Sequence, residues 1–535
     1  MKAAAPIYLD YAATTPVDPL VAQAMSECLS EDGDFANPAS STHGMGRRAQ
    51  ARVERARDEV AALIGAEPSE IIFTSGATES NNLAILGAAR AGADRGRHIV
   101  TSRIEHRAVL DPSRHLEKEG FAVTYLAPDR SGRIAPEALA AALRADTVLV
   151  SLMQVNNEIG VVSDIAAFGA LCAEHGVLLH TDAAQSAGRL AVDVRALPVA
   201  FLSFTAHKLY GPKGIGALYV RAGSRARLRP LTFGGGQERG LRPGTLPTHQ
   251  MVGFALACTL ARKRHGEPAR LTRLRDRLWS GLARLEGVHL NGAAAMRIPD
   301  ILSVSFEGLD GESLVTGLTE LALATGSACS SATGEPSYVM RALGRSSALA
   351  QSTLRLSLGR GTTESDIDRT IHAVTREVLR LRAAAPGAFS TKITPDAGIL
   401  PTDGGMVEFD ILSPLARQLF GELPGAGQLP AGPGVLRGEA GGADGEVWVC
   451  FYLHIEGDVV KDARFQARAC PHTLAVAAWL TGRLPGRAVS GLGLGKPAEW
   501  AQALDVPVEK LGRLLVVEDA LQACLILRPS LSVEW

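Results

Sequence analysis

Four places in this chain carry residue types that could do chemistry together. Cys329 lies in Ala324-Thr-Gly-Ser-Ala-Cys-Ser-Ser331, flanked only by small and hydroxylated residues. Most buried cysteines sit among apolar neighbours. An unshielded thiol in a Gly/Ser stretch reads as a nucleophile if the chain supplies something for it to attack. Lys208 closes Ser203-Phe-Thr-Ala-His-Lys208 and enters the glycine-rich Tyr210-Gly-Pro-Lys-Gly-Ile-Gly-Ala-Leu218. An amine after a buried run could form a Schiff base, although most lysines are merely solvated. Asp182 closes Val177-Leu-Leu-His-Thr181. A carboxylate there lies at the ligand edge of an α/β sheet, or it caps a turn or helix. Thr74-Ser-Gly-Ala-Thr-Glu79 follows Ile71-Ile-Phe73 and precedes the helix-like Ser80–Ala89. A strand, a small turn and a helix start can cradle a phosphate through backbone N–H groups and the helix dipole; such turns also simply cap helices. A lysine, an acid and a phosphate turn are the parts a pyridoxal 5'-phosphate (PLP) enzyme requires, and their order supports the set more than any member alone.

The elements that must position these groups alternate. From about residue 50 to 380, short apolar runs (148–155, 176–181, 201–205) read as buried strands separated by helical patterns such as 165–175. This predicts an α/β fold, a mainly parallel sheet with helices on both faces. In 48–64, Val53, Ala56, Val60 and Ile64 recur at helical spacing with charges on the other side. Near residue 385 the character changes. Pro and Gly punctuate 384–405 as they do linkers, and a second unit, 406–535, follows. No internal repeat is present.

Composition narrows the function. With 535 residues, two or more domains are expected. An apolar content of 46% suits a globular protein. Lys and Arg total 55 against 56 Asp and Glu, without the basic excess expected of a nucleic-acid binder. No run approaches the about 18 apolar residues of a membrane helix, and the N-terminus lacks a signal-peptide apolar stretch. Seven cysteines scattered from Cys28 to Cys524 make no disulfide framework. Cytoplasmic residence is the expectation.

Residues 7–385 resemble the group I cysteine desulfurases, PLP enzymes of aminotransferase fold type I. The matching motifs are Tyr8-Leu-Asp-Tyr-Ala-Ala-Thr-Thr-Pro16, Asn37-Pro-Ala-Ser-Ser-Thr-His43, the 74–79 turn and Glu105-His106. Val155-Asn-Asn-Glu-Ile-Gly160, Thr181-Asp-Ala-Ala-Gln185, His207-Lys208 and Gly234-Gly-Gly-Gln-Glu-Arg239 follow. Arg242-Pro-Gly-Thr-Leu-Pro247, the Cys329 stretch with Glu335-Pro-Ser-Tyr338, and Leu354-Arg-Leu-Ser357 complete the set. The resemblance implies a PLP-dependent transferase fold of type I: a mainly parallel seven-stranded sheet plus a small α/β domain. It implies that Lys208 carries PLP, Asp182 pairs with the pyridine nitrogen, and His106 stacks on the ring and moves protons. Ala77, Thr78, Thr205 and His207 would hold the phosphate, with Thr245 reaching in from a partner subunit of a homodimer. Asn157 and Gln185 would touch the ring hydroxyl. Arg355, helped by Asn37, would clamp the carboxylate of L-cysteine. Cys329 would take the substrate sulfur as a persulfide, release alanine, and pass sulfur to an acceptor or scaffold protein, with Cys329 also a transient cluster ligand. Without the resemblance, His106 would read as a structural histidine and Arg355 as an ion-pair residue. A selenocysteine lyase or an aminotransferase is the alternative within PLP chemistry; an aminotransferase would not need Cys329.

Residues 406–535 more distantly resemble the U-type iron–sulfur cluster scaffold proteins, an α+β fold. The match runs through 414–427, the alternating strand 446–455, 458–465, Ala469-Cys-Pro-His472, the helix-like 473–483 and Glu518-Asp-Ala520. Those scaffolds hold a cluster with three cysteines and an acidic residue. Here only Cys470 falls on a family cysteine position; Asp444 and Arg513 stand at the other two, Gly512 replaces a histidine and Glu446 takes the acidic position. Clusters want thiolates and an arginine cannot ligate, so the expectation is a degenerate scaffold. Cys470 and Asp444 are weak metal candidates. Cys470, before Pro471 and a helix start, could accept sulfur from Cys329 or simply pack. Cys450 should be packed or interfacial and Cys524 core. The alternative is a purely structural interaction module.

Overall fold

The computed structural model describes residues 5–264, 266–325, 336–385, 411–442 and 447–526. Cys329, Asp444, Glu446 and the 386–405 linker lie outside the described residues.

Six of the seven strands of the central sheet are buried along their whole length, because both faces are covered; the edge strand Ala122–Leu126 is the exception. The order is Ile71–Thr74, Gly216–Val220, Phe201–Thr205, Leu178–Asp182, Thr147–Ser151, His98–Ser102, Ala122–Leu126. Only Gly216–Val220 runs antiparallel to its neighbours. Successive side chains point to opposite faces, so two cores form. Ile71, Phe73, Leu202 and Phe204 join one, with Val53, Ala56 and Val60 of the Gly44–Leu63 helix. Ile72, Phe201, Leu218 and Val220 join the other, with Leu83, Ile85 and Ala88 of the Ala77–Gly92 helix.

The sheet agrees with the alternation of the sequence, with one correction. The apolar run expected as a strand over 148–155 is a strand only over Thr147–Ser151. Past it, Leu152 and Gln154 N–H still bond to His180 O and Asp182 O at 3.1 and 3.0 Å, and the segment then closes in a turn where Asn156 Oδ1 accepts the N–H groups of Glu158 and Ile159 at 2.9 and 3.0 Å.

The small domain is an antiparallel sheet ordered Ala324–Thr325, Thr353–Ser357, Ile301–Phe306, Val288–Leu290. The helices Glu267–Leu282 and Glu364–Ala383 pack against it, the second opened by a Thr363/Asp366 capping box. The N-terminal strand Ile7–Tyr8 pairs with Leu321–Ala322, which carries Asp10 to Thr15 across to the large domain.

The C-terminal residues form a three-stranded antiparallel sheet, Val435–Gly441, Trp448–Glu456 and Val459–Arg468. Four helices, Pro414–Glu422, Pro471–Thr481, Pro497–Leu504 and Leu511–Ile526, accompany it. Val447, Val449, Phe451 and Leu453 enter one core, as their alternation predicts. Cys450 is buried on the other face with Trp448 and Tyr452, and Cys524 is core. This core is continuous with that of the small domain: Leu314, Val374 and Leu381 share it with Phe420, Ala469 and Leu474. Ser313 Oγ donates to Ala469 O at 2.6 Å, and Ala467 N–H to Ala384 O at 2.6 Å. Lys510 Nζ and Arg513 Nη1 both reach Glu312, at 2.6 and 3.5 Å. Among the described residues no helix is long and apolar enough to cross a membrane.

Candidate active site

A cavity of about 560 Å³ opens at the C-terminal ends of the central strands, where an open α/β sheet binds ligands. Lys208 reaches it from a single 3-10 turn, Ala206–Lys208, that follows the Phe201–Thr205 strand directly. Asp182 is the last residue of the adjacent Leu178–Asp182 strand and is buried. Its Oδ2 accepts from Asn81 Nδ2 at 2.7 Å and its Oδ1 from Ala184 N–H at 2.8 Å. Asn81 escaped the sequence reading; its only signal was a position on the helix following the 74–79 turn.

One end of the cavity suits an oxyanion. Gly76 caps the Ala77–Gly92 helix at φ 154°, ψ 177°, a conformation essentially reserved for glycine. Gly76, Ala77, Thr78, Thr205 and His207 line this end, so first-turn N–H groups and hydroxyls converge there. Burial, then the charges of Lys208, Lys213 and Arg189, pushes His207 down to about 4. Its Nδ1 lies 3.2 Å from Thr14 Oγ1.

The other side suits a ring. His106 caps the Arg107–Lys118 helix, its Nδ1 accepting from Ala108 N–H at 3.1 Å. Burial, then Lys208, holds its imidazole below the ordinary range. Gln185 Nε2 donates to Ala12 O at 2.9 Å. Asn157 Oδ1 is buried without a hydrogen-bond partner among the described residues, an orphan acceptor in the wall of the cavity. The lining thus offers an amine, an acid, a phosphate cradle and an unsatisfied amide, and these fit PLP.

Arg355, in the Thr353–Ser357 strand of the small domain, lines the same cavity. Its Nη1 donates to Asn157 O at 2.9 Å and its Nη2 to Asp10 Oδ1 at 2.8 Å, while its buried Nε has no partner among the described residues. The sequence did not foresee that Asp10 would already hold this guanidinium. Two buried carboxyls were also missed. Glu105 accepts from Ser102 Oγ and Met153 N–H and is pushed up to about 8 by burial. Glu158 accepts from Ser337 Oγ at 2.5 Å and is pushed up to about 7, again by burial.

Other expected site residues lie elsewhere. Asn37 is exposed, its Oδ1 engaged by Ala39 N–H, and it does not line the cavity. Thr245 is likewise exposed and outside the lining of its own chain. Cys470 is the N-cap residue of Pro471–Thr481, fully buried at the seam, 3.3 Å from Thr473 Oγ1 and against Arg513. Among the described residues, no group of three or more His, Cys, Asp or Glu side chains could hold a metal ion.

Comparison with known proteins follows the same boundary. The family model "Aminotransferase class-V" matches residues 7–370. A "Cysteine desulfurase IscS" of Pectobacterium atrosepticum is 56% identical over 382 residues, covering 71% of this chain and 95% of that protein. A "Cysteine desulfurase IscS" of Serratia proteamaculans is 55% identical over the same length and coverage. Among solved structures, a "NIFS-LIKE PROTEIN" superposes with a TM-score of 0.64 at 37% identity, covering 69% of this chain and 98% of its own. "SspA in complex with cysteine" superposes at 0.60 with 40% identity, covering 66% and 98%.

Proposed function

The chain belongs to the class V aminotransferase family and is a PLP-dependent cysteine desulfurase, and from that premise we propose how its residues divide the work. The substrate is L-cysteine and the products are L-alanine and a persulfide on Cys329. The observation that carries this reading is the convergence of Lys208, Asp182 and the Gly76–Thr78 cradle on one cavity that Arg355 also lines.

When bound, PLP supplies an electron-accepting ring that stabilises negative charge at the substrate Cα. Lys208 would hold the cofactor covalently. Asp182, fixed by Asn81 and Ala184, would pair with the ring nitrogen. The Gly76–Thr78 turn, Thr205 and His207 would hold the phosphate, and Asn157 and Gln185 would serve the ring hydroxyl. His106 Nδ1 already accepts a backbone N–H, so the neutral ring carries its proton on Nε2, and that nitrogen moves protons. Arg355, which lines the cavity with its guanidinium held by Asp10 and the Asn157 carbonyl, would bind the substrate carboxylate. The Cys329 thiolate attacks the substrate sulfur. A Cys329–sulfur bond forms, the substrate Cβ–S bond breaks, its electron pair stays with the three-carbon fragment, and that fragment takes up protons to leave as alanine. Thr245 would complete the phosphate site of a second copy in a homodimer, and Asn37 would aid carboxylate binding.

For residues 406–535 we propose a degenerate U-type scaffold module that docks on its own desulfurase. The seam supports docking, and the burial of Cys470 means that it can take sulfur only when the seam opens. The test is alanine and sulfide release from L-cysteine by wild type and Cys329→Ala. Loss of desulfuration is expected; undiminished release refutes the nucleophile.

A further inference from the structure

Gln185 faces the cofactor cavity with its amide fixed from behind. Arg189 Nη1 donates to Gln185 Oε1 at 2.6 Å, and Gln185 Nε2 donates to Ala12 O at 2.9 Å. A guanidinium can only donate and a backbone carbonyl can only accept, so one orientation of the amide satisfies both neighbours. What Gln185 has left to offer is the second N–H of Nε2. Arg189 is itself held across the domain boundary. The same nitrogen lies 3.3 Å from Asp300 Oδ2, immediately before the Ile301–Phe306 strand, and Nη2 donates to Tyr11 O at 3.2 Å. Asp300 is buried, and its Oδ1 has no partner among the described residues. Such a carboxylate gains most from a cation in direct contact, and Arg189 makes that contact. Arg189 is therefore a strut between the turn after Asp182 and the small domain, ending on an amide in the cofactor site.

We propose that Arg189, anchored by Asp300, is a positioning residue that locks Gln185 as a hydrogen-bond donor to the ring oxygen of PLP. A donor stabilises that oxygen as an anion, and the guanidinium acts through the amide it orients. The proton shared between the Lys208 nitrogen and the ring oxygen then leaves at lower pH than it would with a free amide. The other titratable and charged groups around this proton are Asp182, His106, His207, Lys213 and Arg355 in the cavity wall. Behind Arg189, Arg275 and Glu267 also act on Asp300. This inference rests on the reading that Lys208 and Gln185 flank the cofactor.

The test is a pH titration of the visible absorbance of the PLP-loaded full chain, which does not depend on turnover. In Arg189→Met the midpoint should rise by about one pH unit, and Arg189→Lys should restore it towards wild type. Gln185→Met should raise it similarly, and the double variant should add little. An unchanged midpoint in Arg189→Met, or fully additive shifts, overturns the proposal. Should Arg189→Met fail to fold, the midpoints of Gln185→Met and Gln185→Met/Arg189→Lys should coincide, and a difference overturns it. A visible band that survives Lys208→Ala defeats the underlying reading instead. An unshifted midpoint together with a Lys208-dependent band defeats only this inference.

Discussion

Arg355 shows how a substrate clamp is prepared. Its guanidinium is desolvated in the Thr353–Ser357 strand and held at two nitrogens by Asp10 and the Asn157 carbonyl, which fixes its plane before a carboxylate arrives. Arg355→Gln should raise KM for L-cysteine roughly 10- to 100-fold, the worth of a charge-assisted hydrogen bond, with a smaller change in kcat. Steady-state kinetics check this; a pure kcat defect would place Arg355 elsewhere in the reaction. Asp182→Ala leaves the buried Asn81 amide without its acceptor. The variant should bind PLP more weakly, read as faster loss of the visible band on dialysis, while Asp182→Asn should lose less. These residue types and their order were legible in the sequence. Their supports were not. Asn81 and Glu158 meet Asp182 and Ser337, side chains remote in the chain, while Glu105 and Arg189 combine a near neighbour, Ser102 or Gln185, with partners that only tertiary packing supplies.

At the scale of elements, the site depends on strand ends and helix starts. Gly76 holds a backbone conformation that a Cβ strains, and Gly76→Ala should cost about 1–3 kcal/mol and weaken cofactor retention; thermal melts with and without added PLP separate the two effects. His180, in the strand that ends at Asp182, is buried between Ser151 Oγ and Ser203 Oγ at 2.8 and 2.9 Å and is pushed down to about 4 by burial. The folded chain refuses a proton that the unfolded chain accepts below about 6.5. Stability is thus free of this penalty above that pH and falls as pH drops from there to about 4. His180→Asn should flatten that acid limb in denaturant titrations; an equally steep limb would mean that other groups drive it. The strands themselves were readable because buried parallel strands are continuous apolar runs. The run at 148–155 is a strand only in its first part, because the regular ladder stops at Ser151 although Leu152 and Gln154 still bond to the adjacent strand.

At the scale of the molecule, the linker composition suggested two separable units, but a single apolar core runs from the small domain into the C-terminal sheet. Composition reports where a chain is punctuated, not which faces its units present to each other. Phe420, stacked beneath Arg380 at 4.8 Å and buried in that shared core, makes the coupling testable. Phe420→Ala should cost about 3–5 kcal/mol. It should also split a single thermal transition of the small domain and C-terminal unit into two by calorimetry; a lower melting temperature with one transition would argue that the coupling lies elsewhere. The degenerate ligand set at Asp444, Cys470 and Arg513 was visible in the sequence, whereas the burial of Cys470 beside Thr473 and Arg513 was not. The central claim is that sulfur leaves L-cysteine onto one thiol of this chain. Intact-protein mass spectrometry of the PLP-loaded protein after a single addition of L-cysteine tests it most directly. The account predicts a gain of one sulfur atom, reversed by a thiol reductant, mapped to the peptide bearing Cys329 and absent in Cys329→Ala. A sulfur adduct of the same size on the Cys329→Ala protein would contradict it.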